Sequence, residues 1–179
     1  MAHQRKEWGC VVSQELIATN IYSMWIETTI AKEAKPGQFI SVYTKDASKL
    51  LPRPISICET DTQKDRLRIV YRIAGAGTQE FAAYSKNDKI SILGPLGNGF
   101  PTENACGKVF LIGGGIGIPP LLELGKQLRD KACETQIIAG YRDELFLIEE
   151  LRQTGAVYIA TEDGSTGTKG TVMDAIKEH

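Results

Sequence analysis

The chain has 179 residues, which allows one large domain or two small ones. Its hydrophobic content of 42%, charged content of 24% and net charge of −1 are ordinary for a globular protein, and they offer no basic field for nucleic acid or an anionic membrane. No apolar run reaches the roughly 18 residues of a membrane span. Residues 1–9 lack the apolar core of a secretory signal, so we expect a cytoplasmic location.

Histidine and cysteine, two residue types that often bind metals or take part in catalysis, are few in this sequence. The two histidines, His3 and His179, lie at the chain ends, where neither is a credible catalytic base. The cysteines are widely spaced without a C-x-x-C pair, so the sequence predicts no metal site and reduced thiols. They are Cys10, Cys58, Cys106 and Cys133. No catalytic side chain is predicted, and the chemistry would have to come from bound cofactors.

The first hundred residues have the pattern of short strands separated by turns. Strands are predicted at 9–15, 21–29, 38–43, 66–73 and 89–93, and a short helix at 78–84. Within 66–73, apolar side chains alternate with mainly arginine side chains, which is the two-residue period of a strand with one buried face. About six strands at this spacing predict a small antiparallel barrel over residues 1–104.

Two motifs in this region are suited to an anion. The run RPIS at 53–56 enters a strand, and its arginine could meet a phosphate through a forked hydrogen bond. After Tyr71-Arg72, the run GAGT at 75–78 leads into a helix start, whose N–H groups could also bind an anion. Each motif has a structural alternative: a surface arginine beside an edge-strand proline, or a simple helix cap.

The pattern changes after residue 104. Strands are predicted at 109–112, 135–140 and 157–161, and helices at 119–129, 145–154 and 172–177. This alternation predicts a parallel, doubly wound α/β domain over 105–179, so the fold class is α+β with two domains. Three strands are half of a six-strand dinucleotide fold, which makes the second domain partial. Either the chain is a fragment, or a partner chain covers the open sheet edge.

The segment VFLIGGGIGIPPLL at 109–122 is the strongest signal of a ligand. An apolar strand runs into a glycine cluster, and two prolines then open a leucine-rich helix. Glycines allow a close approach of the backbone, and the helix start favours an anion such as a pyrophosphate. The cluster is not a strict G-x-G-x-x-G. Together with RPIS it indicates a chain that binds two nucleotide cofactors.

Three loops leave alternatives open. The acidic run TEDGS at 161–165 follows the third strand, where it could bind ribose hydroxyls or be a solvated loop. At the end of the second strand, Arg142 could accept a 2′-phosphate, whereas Asp143 and Glu144 argue against one; we favour NAD over NADP. The rigid run GPLGNGFP at 94–101 could frame a flat ring, but its composition favours a linker between domains.

In chain order, RPIS, YR, GAGT, LGPLGNGFP, GGGIGIPP and TEDGSTGTKG resemble the motifs of the ferredoxin–NADP reductase superfamily, over essentially the whole chain. The pair LGPLGNGFP and GGGIGIPPL resembles, more narrowly, the electron-transfer subunits of two-component dihydroorotate dehydrogenases. This resemblance implies an antiparallel β-barrel domain that binds FAD, followed by a partial doubly wound α/β domain that binds NAD(H).

The resemblance also assigns cofactor contacts to residues of this chain. Those implied for FAD are Arg53 at its phosphates, Ser56 near the flavin ring, Pro54 and Ile55 beside them, Val70, Tyr71 and Arg72 along the flavin and ribityl chain, and Gly77 and Thr78 at the pyrophosphate. Those implied for NAD(H) are Gly113, Gly114, Gly115 and Gly117 at its pyrophosphate, and Thr161 and Asp163 near its ribose or nicotinamide.

By the same resemblance, the chain would be an FAD-dependent NAD(H) oxidoreductase that transfers electrons. It would pass them between NAD(H) and an FMN-containing dihydroorotate dehydrogenase catalytic subunit, as part of a hetero-oligomer in pyrimidine biosynthesis. Family members carry a C-terminal C-x4-C-x2-C…C cluster that binds a 2Fe–2S centre. That spacing is absent here, so we expect a truncated form.

Three alternatives to this function stay open. The chain could be a related NAD(P)H–ferredoxin or sulfur reductase subunit. It could be a free-standing flavin reductase, although such a chain should carry its own complete nucleotide domain. It could also be a flavin-binding docking module without turnover.

Overall fold

A computed structural model of the chain describes residues 4–46 and 48–178. His3 and His179, the two histidines of the sequence, therefore lie outside the described residues. The chain divides into two compact units, Met1–Phe100 and Pro101–His179. The division falls at the end of the glycine-rich run 94–101, for which a linker is the favoured interpretation.

The first unit is built from six strands and one short α-helix among its described residues. The strands are β1 (Arg5–Ala18), β2 (Ile21–Glu27), β3 (Phe39–Tyr43), β4 (Arg53–Asp61), β5 (Arg66–Arg72) and β6 (Lys89–Leu96), and helix α1 is Ala76–Ala82. Every neighbouring pair is antiparallel, and the order β1-β2-β5-β4-β3-β6 closes when β6 pairs with β1. The predicted antiparallel barrel is confirmed. Closure leaves the sheet without free edges.

The interior of the barrel is filled by apolar side chains that alternate along the strands. On β5, Leu67, Ile69 and Tyr71 are buried in the common core. Arg68, on the opposite face of the same strand, donates from Nε to Ser23 Oγ at 2.8 Å. Helix α1 joins this core through Phe81, whose ring meets Tyr71 edge-on at a centroid distance of 6.1 Å. The core thereby fixes α1 against β5.

The second unit contains a parallel sheet with helices on its faces. Its strands are β7 (Lys108–Gly114), β8 (Glu134–Tyr141), β9 (Ala156–Thr161) and β10 (Thr168–Lys169), and its helices are α2 (Pro120–Asp130), α3 (Ile148–Arg152) and α4 (Val172–Glu178). The predicted parallel α/β arrangement is confirmed, with the order β10-β9-β8-β7. The prediction of three strands was wrong by one, because β10 has two residues and is too short to show a period.

The two faces of this sheet are covered unequally. Helix α2 buries four leucines against the face that carries Leu111. On the other face, α4 buries Ala175 against the sheet, but Phe110 and Ile112 of the edge strand remain 56% and 50% exposed. They line an apolar groove of about 360 Å³. Among residues 4–46 and 48–178, no helix combines the length and apolar character that a membrane crossing requires.

Candidate functional site

The backbone pairing between β4 and β5 covers only part of the two strands. Their backbone register covers residues 57–61 of β4 and 66–69 of β5. Residues 53–56 and 70–72 lie beyond it, although each segment pairs with its other neighbouring strand. Backbone groups that a sheet leaves unpaired take water or a ligand as partner. This unpaired stretch, defined as 53–56 and 70–72, can therefore bind an extended ligand through the backbone.

The guanidinium of Arg53 lies against the first turn of α1. A Cβ built on Gly77 would stand 2.0 Å from Arg53 Nε and 2.3 Å from its Cζ, so only glycine leaves room for this placement. Arg53 Nη1 donates to the carbonyl oxygen of Leu51. Within the described parts of the chain, no carboxylate forms an ion pair with Arg53. A cation beside the positive end of a helix, without an acidic partner, suits an anion.

The turn before α1 is held by Thr78. Its Oγ1 accepts hydrogen bonds from the N–H groups of Ala74 at 2.8 Å and Gly75 at 3.2 Å, and donates to Gly75 O at 3.0 Å. The hydroxyl is thus used to close the turn. A Cβ on Gly75 would meet nothing within 4 Å, and its φ of 169° is ordinary extended backbone. The space above Gly75 is therefore open to a ligand.

The three predicted site residues of β5 differ in where their side chains lie. Val70 and Tyr71 are both 2% exposed, whereas Arg72 is exposed. The Tyr71 hydroxyl donates to Gln14 Oε1 at 2.8 Å, and burial raises the pKa of this phenol well above its ordinary value. Because the Tyr71 ring is part of the core, any ligand contact of this residue would come from its backbone.

Gln14 supports the same region and carries no signal in the sequence. Its Nε2 donates to three carbonyl oxygens at and after the end of α1, those of Phe81 (3.1 Å), Ala82 (3.1 Å) and Tyr84 (2.8 Å). Carbonyls at a helix C-terminus lack intrahelical partners, so Gln14 caps α1 from β1. Its partners lie 57 to 70 positions away along the chain, which is why local patterns could not reveal it.

In the second unit, the glycine cluster forms the turn between β7 and α2. Gly113 and Gly114 end β7, Gly115–Gly117 form one turn of 3-10 helix, and Pro120 begins α2. This strand, turn and helix arrangement is the one that the sequence predicts. It brings a helix N-terminus to the carboxyl edge of the parallel sheet, where nucleotides bind in open α/β folds.

The glycines of this turn are required for different reasons. A Cβ on Gly113 would meet Leu121 Cδ1 at 2.8 Å, and Gly115 has a φ of +51°, so packing and backbone conformation explain these two. A Cβ on Gly117 would meet nothing within 4 Å, and one on Gly114 would meet only Gly140 O at 3.9 Å. Folding alone does not require glycine at 114 and 117, and both leave room for a ligand.

The loop after β9 contains two predicted contacts with different environments. Thr161 is fully buried, and its Oγ1 donates to Thr166 O at 2.9 Å, so the hydroxyl shapes the loop. Asp163 is exposed. Its Oδ1 accepts hydrogen bonds from the Ser165 N–H and hydroxyl, which lower the pKa of this carboxyl. Asp163 is therefore a fixed negative charge at the carboxyl edge of the sheet.

Arg142, at the end of β8, is paired with its neighbour. Its Nη2 lies 3.0 Å from Asp143 Oδ2, and its Nε donates to the same oxygen at 3.1 Å. Both side chains are mostly exposed. The cation that could accept a 2′-phosphate is thus already next to a carboxylate.

The described residues contain no group of three or more His, Cys, Asp and Glu side chains that could hold a metal ion. None of the four cysteines forms a disulfide within the described residues; Cys58 and Cys133 are buried and Cys106 is exposed. Cys10 and Cys58 belong to the first unit and the other two to the second. These residues do not fit a 2Fe–2S centre, which needs four ligands together.

No family model matches the chain, but relatives with known names do. It is 41% identical over 181 residues to the dihydroorotate dehydrogenase B (NAD(+)), electron transfer subunit, of Bacillus cereus strain G9842, across 98% of this chain and 70% of that protein. The subunit of the same name from Listeria innocua serovar 6a is 40% identical over 171 residues, with 93% and 67% covered.

Solved structures share the fold. The NADH-dependent reduced ferredoxin-NADP oxidoreductase superposes with a TM-score of 0.87 at 30% identity, across 95% of this chain. This chain spans 62% of the length of that one. The ferredoxin-NADP+ reductase from Plasmodium falciparum superposes with a TM-score of 0.77 at 17% identity, covering 96% of this chain and 77% of that one, and shows the fold alone.

A closed antiparallel barrel followed by a parallel α/β sheet, each with an anion-suited turn, defines the ferredoxin reductase-like flavoproteins. The extent and identity of the matches to the Bacillus and Listeria proteins narrow this class. The chain belongs to the family of dihydroorotate dehydrogenase B electron transfer subunits. The resemblance stated from its motifs is confirmed.

Proposed function

We propose that the chain binds FAD on the barrel and NAD(H) at the carboxyl edge of the parallel sheet. It would pass electrons between NAD(H) and the FMN-containing catalytic subunit of dihydroorotate dehydrogenase, in a hetero-oligomer. The observation that carries this proposal is the guanidinium of Arg53, which lies against Gly77 without an acidic partner. The names of the relatives support the association with a catalytic subunit.

The residues of the barrel suit a long dianionic cofactor such as FAD. Arg53 and the turn before α1 would hold its phosphates, since charge-assisted hydrogen bonds to phosphate are strong. The unpaired stretch 53–56 and 70–72 would bind the ribityl chain and ring edge through backbone groups, and half-buried Ser56 adds a hydroxyl. Gln14 would position α1 rather than touch the cofactor.

The residues of the second unit suit a dinucleotide that binds through backbone contacts. Gly114 and Gly117 leave space beside the N-terminus of α2 for a pyrophosphate. The pairing of Arg142 with Asp143, and the ionised Asp163, support NAD over NADP, because a 2′-phosphate would meet carboxylates there. The designation NAD(+) in the names of the relatives agrees.

When bound, FAD would supply both hydride acceptance and single-electron transfer. The chain itself would bind and orient the two cofactors and exclude competing reactions. A direct hydride transfer needs no acid or base, so no catalytic side chain is assigned. No step is assigned to a 2Fe–2S centre, because the described cysteines do not fit one.

The first test is FAD binding to the purified chain by fluorescence titration. Arg53→Ala should weaken FAD binding by about 1.5–3 kcal/mol, the range of a hydrogen bond to a charged group, or roughly 10- to 150-fold in Kd. Arg129→Ala is the matched control, because Arg129 is half exposed in the second unit and contacts Asp130. Unchanged FAD affinity in the Arg53 variant would remove Arg53 from the site and with it the basis of the proposal.

The second test is anaerobic mixing of the FAD-loaded chain with NADH while the long-wavelength flavin absorbance is recorded. Loss of that absorbance would support hydride transfer by this chain. A persistent yellow colour would favour the flavin-binding docking module. A chain that binds no flavin at all would contradict the proposed function.

A further inference from the structure

Strand β7 is the outer strand of the parallel sheet, and in the described part of the chain it pairs with β8 alone. The Glu134 N–H donates to Gly107 O at 2.8 Å. Successive residues of a strand direct their backbone groups to opposite sides, so the odd-numbered residues of β7 bond to β8. The N–H and C=O groups of Phe110 and Ile112 therefore point away from β8 and form an unpaired sheet edge.

The exposed apolar side chains of the second unit are concentrated beside this edge. Among its described residues, the exposed large apolar side chains all belong to β7, the turn after it and α4. They are Phe110, Ile112, Ile116, Met173 and Ile176. Phe110, Ile112 and Ile176 also line the apolar groove of about 360 Å³. Such a patch marks a surface that another molecule covers.

The edge carries none of the features that keep exposed strands from pairing. Residues 109–114, VFLIGG, contain neither a charge nor a proline. Strand β7 pairs with β8 over all its seven residues without a register shift, so no bulge turns it away. An apolar edge without these protections is a template for a further strand.

A second copy of the chain supplies a strand that matches this edge. When two β7 strands pair antiparallel around a two-fold axis at Leu111, Phe110 of each copy lies opposite Ile112 of the other. All seven residues of β7 then have a partner, and the backbone groups that meet are the unpaired ones. Pairs of an aromatic with a β-branched side chain are favourable across strands, so the edge is complementary to itself.

The charges beside the edge are compatible with such a copy. A symmetric interface brings like charges together, which is unfavourable unless they are neutralised. The only charge on β7 is Lys108, whose Nζ lies 3.5 Å from Glu134 Oε1 on β8. On α4, Lys177 Nζ lies 3.8 Å from Asp174 Oδ1, and Glu178 is at the helix end. Two copies can therefore pair along β7 without bringing unneutralised like charges onto the strand.

We propose that this edge is a homodimer interface, in which two chains pair antiparallel through β7. Their two four-stranded sheets would join into one continuous sheet. Pairing removes the exposed parts of Phe110 and Ile112 from water in both chains, and this burial drives the association. The inference does not depend on the proposed flavin site, which belongs to the barrel.

The test measures the mass of the purified chain by sedimentation over a wide range of protein concentrations. The parent should be a dimer that dissociates on dilution. Ile112→Lys places a charge between the paired strands and should raise the dimer Kd by roughly 100-fold or more. Ile112→Val keeps a β-branched apolar side chain and should stay within about 3-fold of the parent Kd.

Leu16→Lys is the matched control, because it adds the same charge at an apolar residue that is 59% exposed on β1. It should leave the dimer Kd unchanged. Thermal unfolding of each variant checks that the fold is intact. Hydrogen exchange then locates the interface: the amides of Phe110 and Ile112 should be protected in the dimer and exchange after dilution. The amide of Leu111, which faces β8, should be protected in both states.

A parent chain that is monomeric at every concentration would overturn the inference and leave the edge to a further polypeptide segment or to a different protein. A dimer that Ile112→Lys does not weaken would also overturn it, and so would a dimer in which the amides of Phe110 and Ile112 exchange freely. Association would then use another surface. Titration of FAD into the same samples tests the proposed function separately.

Discussion

The candidate nucleotide sites of the two units depend on different features of the chain. In the barrel, the candidate site depends on side chains: Arg53 supplies charge, Thr78 closes the turn and Gln14 caps the helix. In the parallel sheet, the candidate site depends on absent side chains, at Gly114 and Gly117. The comparison indicates that flavin affinity should respond to losses of side chains, and NAD(H) affinity to additions.

The two candidate sites also differ in how far the surrounding structure is closed. The barrel closes on itself and buries a continuous core, which supports its candidate site from the inside. The sheet ends at β7, and Phe110 and Ile112 of that strand are half exposed. A resident cofactor benefits from a rigid, closed support, whereas a substrate that must leave benefits from an open edge. We therefore expect FAD to stay bound and NAD(H) to exchange.

The largest expected effect is a loss of stability when the aromatic side chain that fixes α1 to the barrel is removed. Phe81 is fully buried between Tyr71 and Tyr84, with centroid distances of 6.1 and 6.0 Å. Phe81→Ala should lower the free energy of unfolding by about 3–5 kcal/mol, the range for a phenylalanine cavity. Urea unfolding followed by tryptophan fluorescence measures this, because Trp8 and Trp25 are both in the first unit.

Phe100→Ala is the control for this variant, since Phe100 belongs to the same unit but is 43% exposed. Phe100→Ala should lower the free energy of unfolding far less than Phe81→Ala does. A Phe81 variant as stable as the parent would show that α1 is held by its hydrogen bonds rather than by the core.

The second prediction tests the capping of α1 separately from its packing. Gln14→Leu removes the donor to three carbonyls and leaves the buried Tyr71 hydroxyl without its acceptor. We expect a loss of about 1–3 kcal/mol in unfolding free energy, together with weaker FAD binding, because α1 would no longer be fixed. Glu15→Ala, at the exposed neighbouring position on β1, should change neither quantity. FAD affinity equal to the parent would show that α1 keeps its place without this cap.

Gln14 also shows which features a sequence can predict and which it cannot. The alternation of apolar residues along the strands and the strand–glycine–proline order at 109–122 are local patterns, so both the barrel and the parallel unit could be predicted. The partners of Gln14 are assembled only by barrel closure, and no local pattern encodes them. The contact of Arg53 with Gly77 is of the same kind. The sequence shows the motifs RPIS and GAGT, but it does not show that the fold brings them into contact.

Element boundaries failed for related reasons. A helix was predicted over 145–154, but α3 begins at Ile148 because Leu147 has a φ of +62° and interrupts it. Strand β10 escaped prediction because only its pairing beside β9, with Lys169 opposite Thr161, defines it. Among the predicted contacts, the burial of Tyr71 and Thr161 was invisible, since residue type does not reveal which way a polar tip points.

The third prediction tests the sheet side of the comparison. Gly117→Ala adds a methyl group where nothing lies within 4 Å, at a residue without a positive φ, so stability should be unchanged. If the space belongs to a pyrophosphate, NADH affinity should fall about 10-fold, or about 1.4 kcal/mol. FAD affinity should not change. Titration of NADH into the chain measures this, with thermal unfolding as the check on folding. Parent-like NADH affinity would place the pyrophosphate elsewhere.

The smallest expected effect is a pH dependence of the loop that carries Leu50 and Leu51. Burial pushes the pKa of Glu80 upwards, but hydrogen bonds from the Lys49 ammonium and the Lys45 N–H outweigh it, so the pKa lies below its ordinary value of 4.5. A lowered pKa in the folded state means that the carboxylate stabilises the fold above the ordinary value and that this stabilisation is lost as the pH falls through the lowered one.

The carboxylate of Glu80 should therefore contribute at neutral pH and not in acid. Glu80→Gln should lower the free energy of unfolding by about 0.2–1 kcal/mol at pH 7, the range of a solvent-screened ion pair. The difference from the parent should shrink as the pH falls below about 4.5 and disappear below the lowered pKa, where the carboxylate of the folded parent is protonated as well. Urea unfolding by tryptophan fluorescence at several pH values measures it, with Glu15→Gln as the exposed control. A difference that stays constant into acid would mean that Glu80 braces the loop by shape and not by charge.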